Sequence, residues 1–148
     1  MEPIIDEKNI IINPNISNKE DAIKLVGNIL VNNGYVEEEY IDLMFEREKS
    51  TSTYIGNNIA IPHGIESSKK IIKHSGISLI QLPNGIDYDG NTVHIVMGIA
   101  GKNNEHLNML SQIAETFMDI DNVSAVKNAK TKREILNLLA VNMDEVNN

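Results

Sequence analysis

The stretch EREKSTSTYIGNNIAIPHG, residues 46–64, contains the residues around which the rest of the chain is arranged. Its apolar run ends at Pro62, which fixes its own φ and cannot donate a hydrogen bond to a sheet. His63 follows, and Gly64 lacks a Cβ, so the backbone beside the imidazole can turn tightly or lie close to a ligand. The pattern predicts a strand that ends in a turn, with His63 held rigidly but accessibly at the junction. Because turns also carry ordinary surface histidines, the remaining sequence has to distinguish a site from a simple turn.

Composition indicates one globular domain over residues 1–148, because 41% hydrophobic and 23% charged residues are ordinary values for a chain that can bury a core. The absence of cysteine excludes disulfides, zinc–thiolate sites and cysteine nucleophiles, and it favours a reducing compartment. A net charge of −8 argues against nucleic acid or an anionic membrane as the main partner. The sequence shows no signal-peptide pattern and no bilayer-spanning apolar run, so we expect a cytoplasmic protein without direct membrane insertion.

Hydrophobic periodicity predicts strands interleaved with helices, which is typical of an α/β sandwich with helices covering a mixed sheet. The predicted strands cover residues 10–12, 59–61, 76–82 and 93–100, and the predicted helices begin near residues 17, 37, 66, 105, 123 and 131. Ser17 with Glu20, and Thr131 with Glu134, match the capping-box pattern of a helix start. The Pro-Asn-Gly sequence at residues 83–85 is expected to end the third strand.

The helix that begins near residue 105 places a histidine in its first turn. Its predicted apolar face consists of Leu107, Leu110, Ile113, Ala114 and Phe117. His106 is expected to project on the inward side of this helix. A helix N-terminus offers free N–H groups and suits a phosphate, although its dipole disfavours a protonated imidazole. An arriving phosphoryl dianion would favour His106 in its cationic, hydrogen-bond-donating form.

Three side chains together suggest a phosphoryl-transfer site. Of the four histidines, His74 lies in a polar connection and is expected to be exposed, and His94 lies in a strand, where a structural role is expected. Considered by itself, Arg47 is best interpreted as a solvated charge at a helix C-terminus. Beside a nucleophilic His63, however, its planar guanidinium fork and the ring of His106 match the oxygens of a phosphoryl group. Positioning and electrostatics supply most of the catalysis in such transfers, so the arrangement requires no metal or cofactor.

The chain resembles the IIA domains of the mannitol/fructose class of the phosphoenolpyruvate-dependent sugar phosphotransferase system (PTS), and most closely the mannitol type. The resemblance rests on two motifs at their separation, EREKSTSTYIGNNIAIPHG at residues 46–64 and GIAGKNNEHL at residues 98–107. It extends over essentially the whole chain. It implies a single type-2 EIIA domain in which helices cover both faces of a mixed sheet.

The resemblance also implies a role for each site residue. His63 matches the phosphorylated histidine of the family, which accepts phosphate from phospho-HPr through Nε2. Arg47 and His106 match its active-site arginine and its second active-site histidine. The family then passes the phosphate to a cysteine of the IIB domain of the cognate permease. The sequence leaves open whether this chain is a free-standing subunit or one domain of a longer transporter.

Two alternative functions for this chain are also considered. In the first, the chain is a fructose-type or nitrogen-regulatory IIA in which the same His63 acts as a regulatory phospho-acceptor, with identical chemistry. In the second, His63, His94 and His106 ligate the metal of a hydrolase. The spacing of these histidines matches no ligand motif, which makes the second alternative the weaker one.

Overall fold

One mixed five-stranded sheet organises the computed structural model of this chain, which describes residues 3–103 and 105–143. The strands are β1 (Ile10–Ile12), β2 (Tyr54–Gly56), β3 (Ile59–Ala60), β4 (Gly76–Tyr88) and β5 (Asn91–Ala100). Their order in the sheet is β1-β4-β5-β3-β2. The pairs β1–β4 and β3–β5 are parallel, whereas β2–β3 and β4–β5 are antiparallel.

Helices cover both faces of the sheet, as predicted. They are α1 (Lys19–Asn32), α2 (Tyr40–Ser50), α3 (Glu105–Met118), α4 (Ile120–Lys127) and α5 (Lys132–Asn142), and short 3₁₀ helices span Glu7–Asn9 and Glu66–Ile71. No helix within the described part of the chain combines the length and the apolar character needed to cross a bilayer.

The two faces of β5 lie in two different hydrophobic clusters, because successive side chains of a strand point to opposite sides. Met97 packs with Ile113 of α3 on the face covered by α3, α4 and α5. Its neighbour Val96 packs with Val26 of α1 and Met44 of α2 on the other face. All five side chains are fully buried, and each contributes roughly 1.5–3 kcal/mol by leaving water. Strand β5 is therefore a rigid support on which the neighbouring strand end can be fixed.

Several of the predicted boundaries were wrong, among them the start of α1 and the end of β4. Helix α1 is capped by Asn18 rather than Ser17, because the Asn18 side chain accepts a hydrogen bond of 2.8 Å from the backbone N–H of Asp21. Asparagine is as good an N-cap as serine, so the sequence offered two adjacent candidates. The cap at the start of α5 was predicted correctly, since Thr131 accepts from the N–H of Glu134 at 3.2 Å.

Strand β4 does not end at residues 83–85 but continues to Tyr88. Its pairing with β5 shifts between Gln81 and Ile86, which is where a β-bulge takes up extra residues. Pro83 and Gly85, whose φ is 74°, lie within this irregular segment. A proline is tolerated there because no ladder hydrogen bond requires its missing N–H.

The buried face of α3 is rotated from the predicted one. Met109, Ile113 and Phe117 are buried, whereas Leu107 is 74% exposed, so the assignment of Leu107 to the core was wrong. His106 is partly buried, which agrees with its predicted inward position. The face follows the usual spacing of three or four residues from His106 onward.

Candidate active site

His63 lies shortly after the end of β3, and β5 fixes its backbone. The N–H of Ile99 donates to the carbonyl oxygen of Pro62 at 3.0 Å, and His63 itself pairs with Ile99 through an isolated parallel bridge. The side chain of His63 is buried, with the whole residue 7% exposed. The imidazole is therefore carried by backbone that the sheet holds in place rather than by a free loop.

One hydrogen bond determines the tautomer of His63. Nδ1 lies 2.8 Å from the carbonyl oxygen of Ile61. A carbonyl oxygen can only accept a hydrogen bond, so Nδ1 carries the hydrogen and Nε2 keeps a free lone pair. The nucleophilic nitrogen of this ring is therefore Nε2.

Tyr40 of α2 fixes the residue that follows the histidine. Its hydroxyl accepts a 2.9 Å hydrogen bond from the N–H of Gly64 and donates one of 2.6 Å to the carbonyl oxygen of Ile99. A Cβ on Gly64 would lie 2.7 Å from the Tyr40 ring and 2.5 Å from the hydroxyl of Ser68, so only glycine fits. Burial raises the pKa of Tyr40 to about 12, which keeps the hydroxyl protonated near neutral pH. No local pattern in the sequence signals the partners of the Tyr40 hydroxyl.

His106 stands beside His63 at the start of α3. The centroids of the two rings are 5.1 Å apart, and their planes are inclined by 58°. Gly101 permits this approach, since a Cβ there would lie 2.4 Å from the Cα of His106 and 2.8 Å from its backbone nitrogen. Asn104 of the second motif lies outside the described residues.

Arg47, in the last turn of α2, is the third member of the group. Its Nη1 donates a 2.8 Å hydrogen bond to the carbonyl oxygen of Thr51, which orients the guanidinium. Its positive charge acts on both His63 and His106. The three side chains predicted from the sequence thus lie within electrostatic range of one another.

The environment keeps His63 uncharged near neutral pH. Burial lowers the pKa of His63 below its ordinary value of 6.5. The positive charge of Arg47 acts in the same direction, while the carbonyl of Ile61 and the carboxylate of Glu48 oppose this decrease in the pKa. The neutral ring is the form that can attack phosphorus through its lone pair.

The pKa of His106 is lowered as well, again chiefly by burial. The positive charges of Lys69 and Arg47 act in the same direction, and so does His63 whenever its ring is protonated. The carboxylate of Glu66 opposes them, and it forms an ion pair of 2.9 Å with Lys69. A phosphoryl dianion between the two rings would add negative charge and favour the protonated, donating form of His106.

The other two histidines lie outside this group. His74 is exposed, and Nδ1 of His94 lies 2.9 Å from the carbonyl oxygen of Leu82. Within residues 3–103 and 105–143, no three His, Asp or Glu side chains come together in a way that could hold a metal ion. The alternative site formed by His63, His94 and His106 is therefore not assembled in this fold.

The assembled groups suit phosphoryl transfer through a covalent histidine intermediate. Nε2 of His63 has a lone pair that could attack phosphorus, and the guanidinium of Arg47 and a protonated ring of His106 could offer positive charge to phosphoryl oxygens.

Comparisons with known proteins agree in family and fold. The family described as "Phosphoenolpyruvate-dependent sugar phosphotransferase system, EIIA 2" matches residues 3–141. The "Mannitol-specific phosphotransferase enzyme IIA component" of Geobacillus stearothermophilus is 56% identical over 138 residues, which are 93% of this chain and 95% of that protein. The crystal structure of IIA mannitol from Escherichia coli superposes with a TM-score of 0.85 at 34% identity, covering 92% of this chain and 99% of that one. A complex of enzyme IIAMTL with phosphorylated enzyme IIBMTL from Escherichia coli gives a TM-score of 0.85 at 33% identity, covering 93% of this chain and 97% of that one.

Proposed function

Because the chain belongs to the EIIA 2 family of the phosphoenolpyruvate-dependent sugar phosphotransferase system, we propose that it relays a phosphoryl group through His63 during the uptake and phosphorylation of mannitol. The observation that carries this proposal is the free lone pair on Nε2 of a buried His63, with the ring of His106 5.1 Å away. The mannitol assignment is supported by relatives named as mannitol-specific IIA components, which match this chain over almost its whole length.

In the first step, Nε2 of His63 attacks phosphorus of phospho-HPr. A P–N bond forms to Nε2, the bond between phosphorus and the donor atom breaks, and its electron pair stays with the donor. Arg47 and His106 stabilise the charge spread over the phosphoryl oxygens, and Nδ1 keeps its hydrogen, which it donates to the carbonyl oxygen of Ile61.

In the second step, the thiolate of a cysteine in the IIB domain of the permease attacks the same phosphorus atom. An S–P bond forms, the P–N bond breaks, and its electron pair returns to Nε2 of His63. The Escherichia coli IIAMTL that shares this fold has been captured with phosphorylated IIBMTL, which supports a IIB domain as the acceptor. Phospho-HPr as donor, a cytoplasmic location for the relay, and residues 1–148 acting as a single type-2 EIIA domain are parts of the same proposal.

A reconstituted relay tests the proposal. Purified chain is incubated with phosphoenolpyruvate and the general PTS proteins, and then with a mannitol IIB domain and permease, or with a fructose system as the comparison. We expect acid-labile, alkali-stable phosphate on the wild type and on a His74→Gln control, none on His63→Gln, and phosphorylation of mannitol only when the chain is present. Labelling without transfer to either sugar system would favour the regulatory alternative, and labelling of the His63→Gln variant would overturn the site.

A further inference from the structure

A buried carboxylate lies behind the site and is not used by the steps above. Glu48 follows Arg47 in the last turn of α2, and its side chain is 5% exposed. It accepts two hydrogen bonds of 2.8 Å from Thr53, one from the backbone N–H and one from the hydroxyl. Burying a carboxylate is unfavourable unless hydrogen bonds replace its hydration, and the two bonds from Thr53 do this for Glu48.

The bonds continue from Thr53 to the histidine. The carbonyl oxygen of Thr53 accepts a 3.0 Å hydrogen bond from the N–H of Ile61, and the carbonyl oxygen of Ile61 accepts the bond from Nδ1 of His63. The N–H and the carbonyl of Thr53 belong to different peptide units, and the same is true of Ile61, so a proton cannot pass from one bond of the series to the next. The series therefore transmits position rather than protons: Glu48 fixes Thr53, Thr53 fixes Ile61, and Ile61 fixes the imidazole.

Other elements hold Glu48 from the opposite side. Lys19 at the start of α1 forms an ion pair of 3.2 Å with Glu48, and it also pairs with Asp89. The hydroxyl of Tyr88 donates to the hydroxyl oxygen of Thr53 at 2.9 Å, and the Lys19 ammonium lies 4.7 Å from the centre of the Tyr88 ring. The carboxylate is thus anchored by α1 and by the β4–β5 hairpin.

We propose that Glu48 is a positioning residue for the phosphoryl-transfer reaction: through Thr53 and Ile61 it holds the His63 ring with Nε2 free to attack phosphorus. The expected effect on phosphoryl transfer rests on the proposed function. The hydrogen bonds that hold the His63 ring, in contrast, are those of the unphosphorylated protein. The negative charge of Glu48 has a second effect, since it opposes the lowering of the His63 pKa by burial and by Arg47, and so maintains the basicity of Nε2. From α3, the titratable ring of His106 also lies beside His63.

The test compares substitutions along this series with a remote one. Glu48→Gln keeps the shape but removes the charge, Thr53→Val removes the hydroxyl, and Thr53→Ser retains it. The matched control is Gln81→Met, because buried Gln81 donates two hydrogen bonds of 2.8 Å, to the carbonyl oxygens of Val126 and Ala129, away from the site.

Three readouts separate positioning from stability: the single-turnover rate of transfer from phospho-HPr, the NMR titration and tautomer of the His63 ring without phosphate, and the melting temperature. Glu48→Gln and Thr53→Val should slow transfer by roughly tenfold to a hundredfold, because small misplacements of a reacting group have effects of that size. Glu48→Gln should also lower the titration midpoint of His63. Thr53→Ser should restore the rate, and Gln81→Met should lower the melting temperature with the rate and the titration unchanged.

A Glu48→Gln protein that loses stability like Gln81→Met but keeps the wild-type rate and His63 titration would overturn the inference. If Glu48→Gln does not fold, equal rates for Thr53→Val and Thr53→Ser would overturn it instead. If the wild type accepts no phosphate, the proposed function fails, and the NMR comparison of the His63 tautomer and titration still decides whether Glu48 positions the ring.

Discussion

The rings of His63 and His106 are neighbours with centroids 5.1 Å apart, although one residue lies just beyond strand β3 and the other is in the first turn of helix α3. Strand β5 brings them together, because it pairs with β3, forms an isolated bridge with His63 and leads through Gly101 into α3. One ring can attack phosphorus while the other donates to its oxygens. The predictions below follow from this pairing and from the guanidinium beside it.

Replacing Arg47 with lysine keeps a positive charge but removes the planar fork that matches two phosphoryl oxygens. We expect the single-turnover rate of transfer to fall by about tenfold to a hundredfold, with His63 still the acceptor. The matched control is Arg133→Lys, since Arg133 pairs with Glu7 and lies outside the site. Rapid-quench measurements compare the two variants, and an Arg47→Lys rate equal to that of Arg133→Lys would place Arg47 outside the reaction.

Replacing His106 with glutamine removes a ring that can become cationic when the phosphoryl group arrives. Transfer should slow by roughly tenfold to a hundredfold, while phosphate on His63 remains detectable by mass spectrometry. His94→Gln is the control, because His94 contacts the carbonyl of Leu82 in β4 rather than the site. An inactive His106→Gln protein that is still folded, or a fully active one, would contradict the supporting role of His106.

Gly101→Ala tests how His106 is placed, because the new Cβ would lie 2.4 Å from the His106 Cα. The start of α3 would have to move, with a loss of about 1–3 kcal/mol in the free energy of unfolding. The transfer rate should fall towards that of His106→Gln. Gly34→Ala is the control, since Gly34 has a φ of +84° but open space around it, so that alanine strains the backbone without displacing the site. Equal transfer rates for the two alanine variants would show that Gly101 does not position His106.

The lowered pKa values of His63 and His106 predict a specific dependence of stability on pH. When the pH falls below the ordinary histidine pKa of 6.5, these two histidines bind protons in the unfolded chain but stay neutral in the folded protein. The free energy of unfolding should therefore decrease as the pH falls below about 6.5, down to the lowered pKa values of the folded state. Urea titrations at several pH values, with the double variant His63→Gln/His106→Gln as reference, isolate this contribution. Parallel pH profiles for the wild type and the double variant would contradict it.

The sequence predicted the support of the site well, because its signals are local. Pro62 and Gly64 flank a histidine at a strand end, and the period-two pattern of β5 is unambiguous. Helix α5 is capped by Thr131, as its capping pattern indicates. The grouping of Arg47 with the two histidines rested on the chemistry of the three side chains and on a family resemblance rather than on any spacing in the chain.

The remaining features depend on contacts between distant segments, which periodicity does not encode. The hydroxyl of Tyr40 has partners in Gly64 and Ile99, and Glu48 acquires its role only when α2, β2 and β3 meet. Leu107 fits an apolar helical pattern as well as Met109 does, and tertiary packing alone decides that Leu107 is exposed. The sequence therefore indicated the candidate site residues more fully than the residues that hold them in place.

The central claim is that phosphate is carried on Nε2 of His63, and NMR of the protein phosphorylated by phospho-HPr tests it directly. With ¹⁵N-labelled histidine, the phosphorus–nitrogen coupling and the ring shifts identify the bonded nitrogen. We expect one phosphohistidine, at His63, bonded through Nε2, with Nδ1 still protonated against the carbonyl of Ile61. A phosphorus atom on Nδ1 of His63, or on any other histidine, would contradict the geometry on which this account rests.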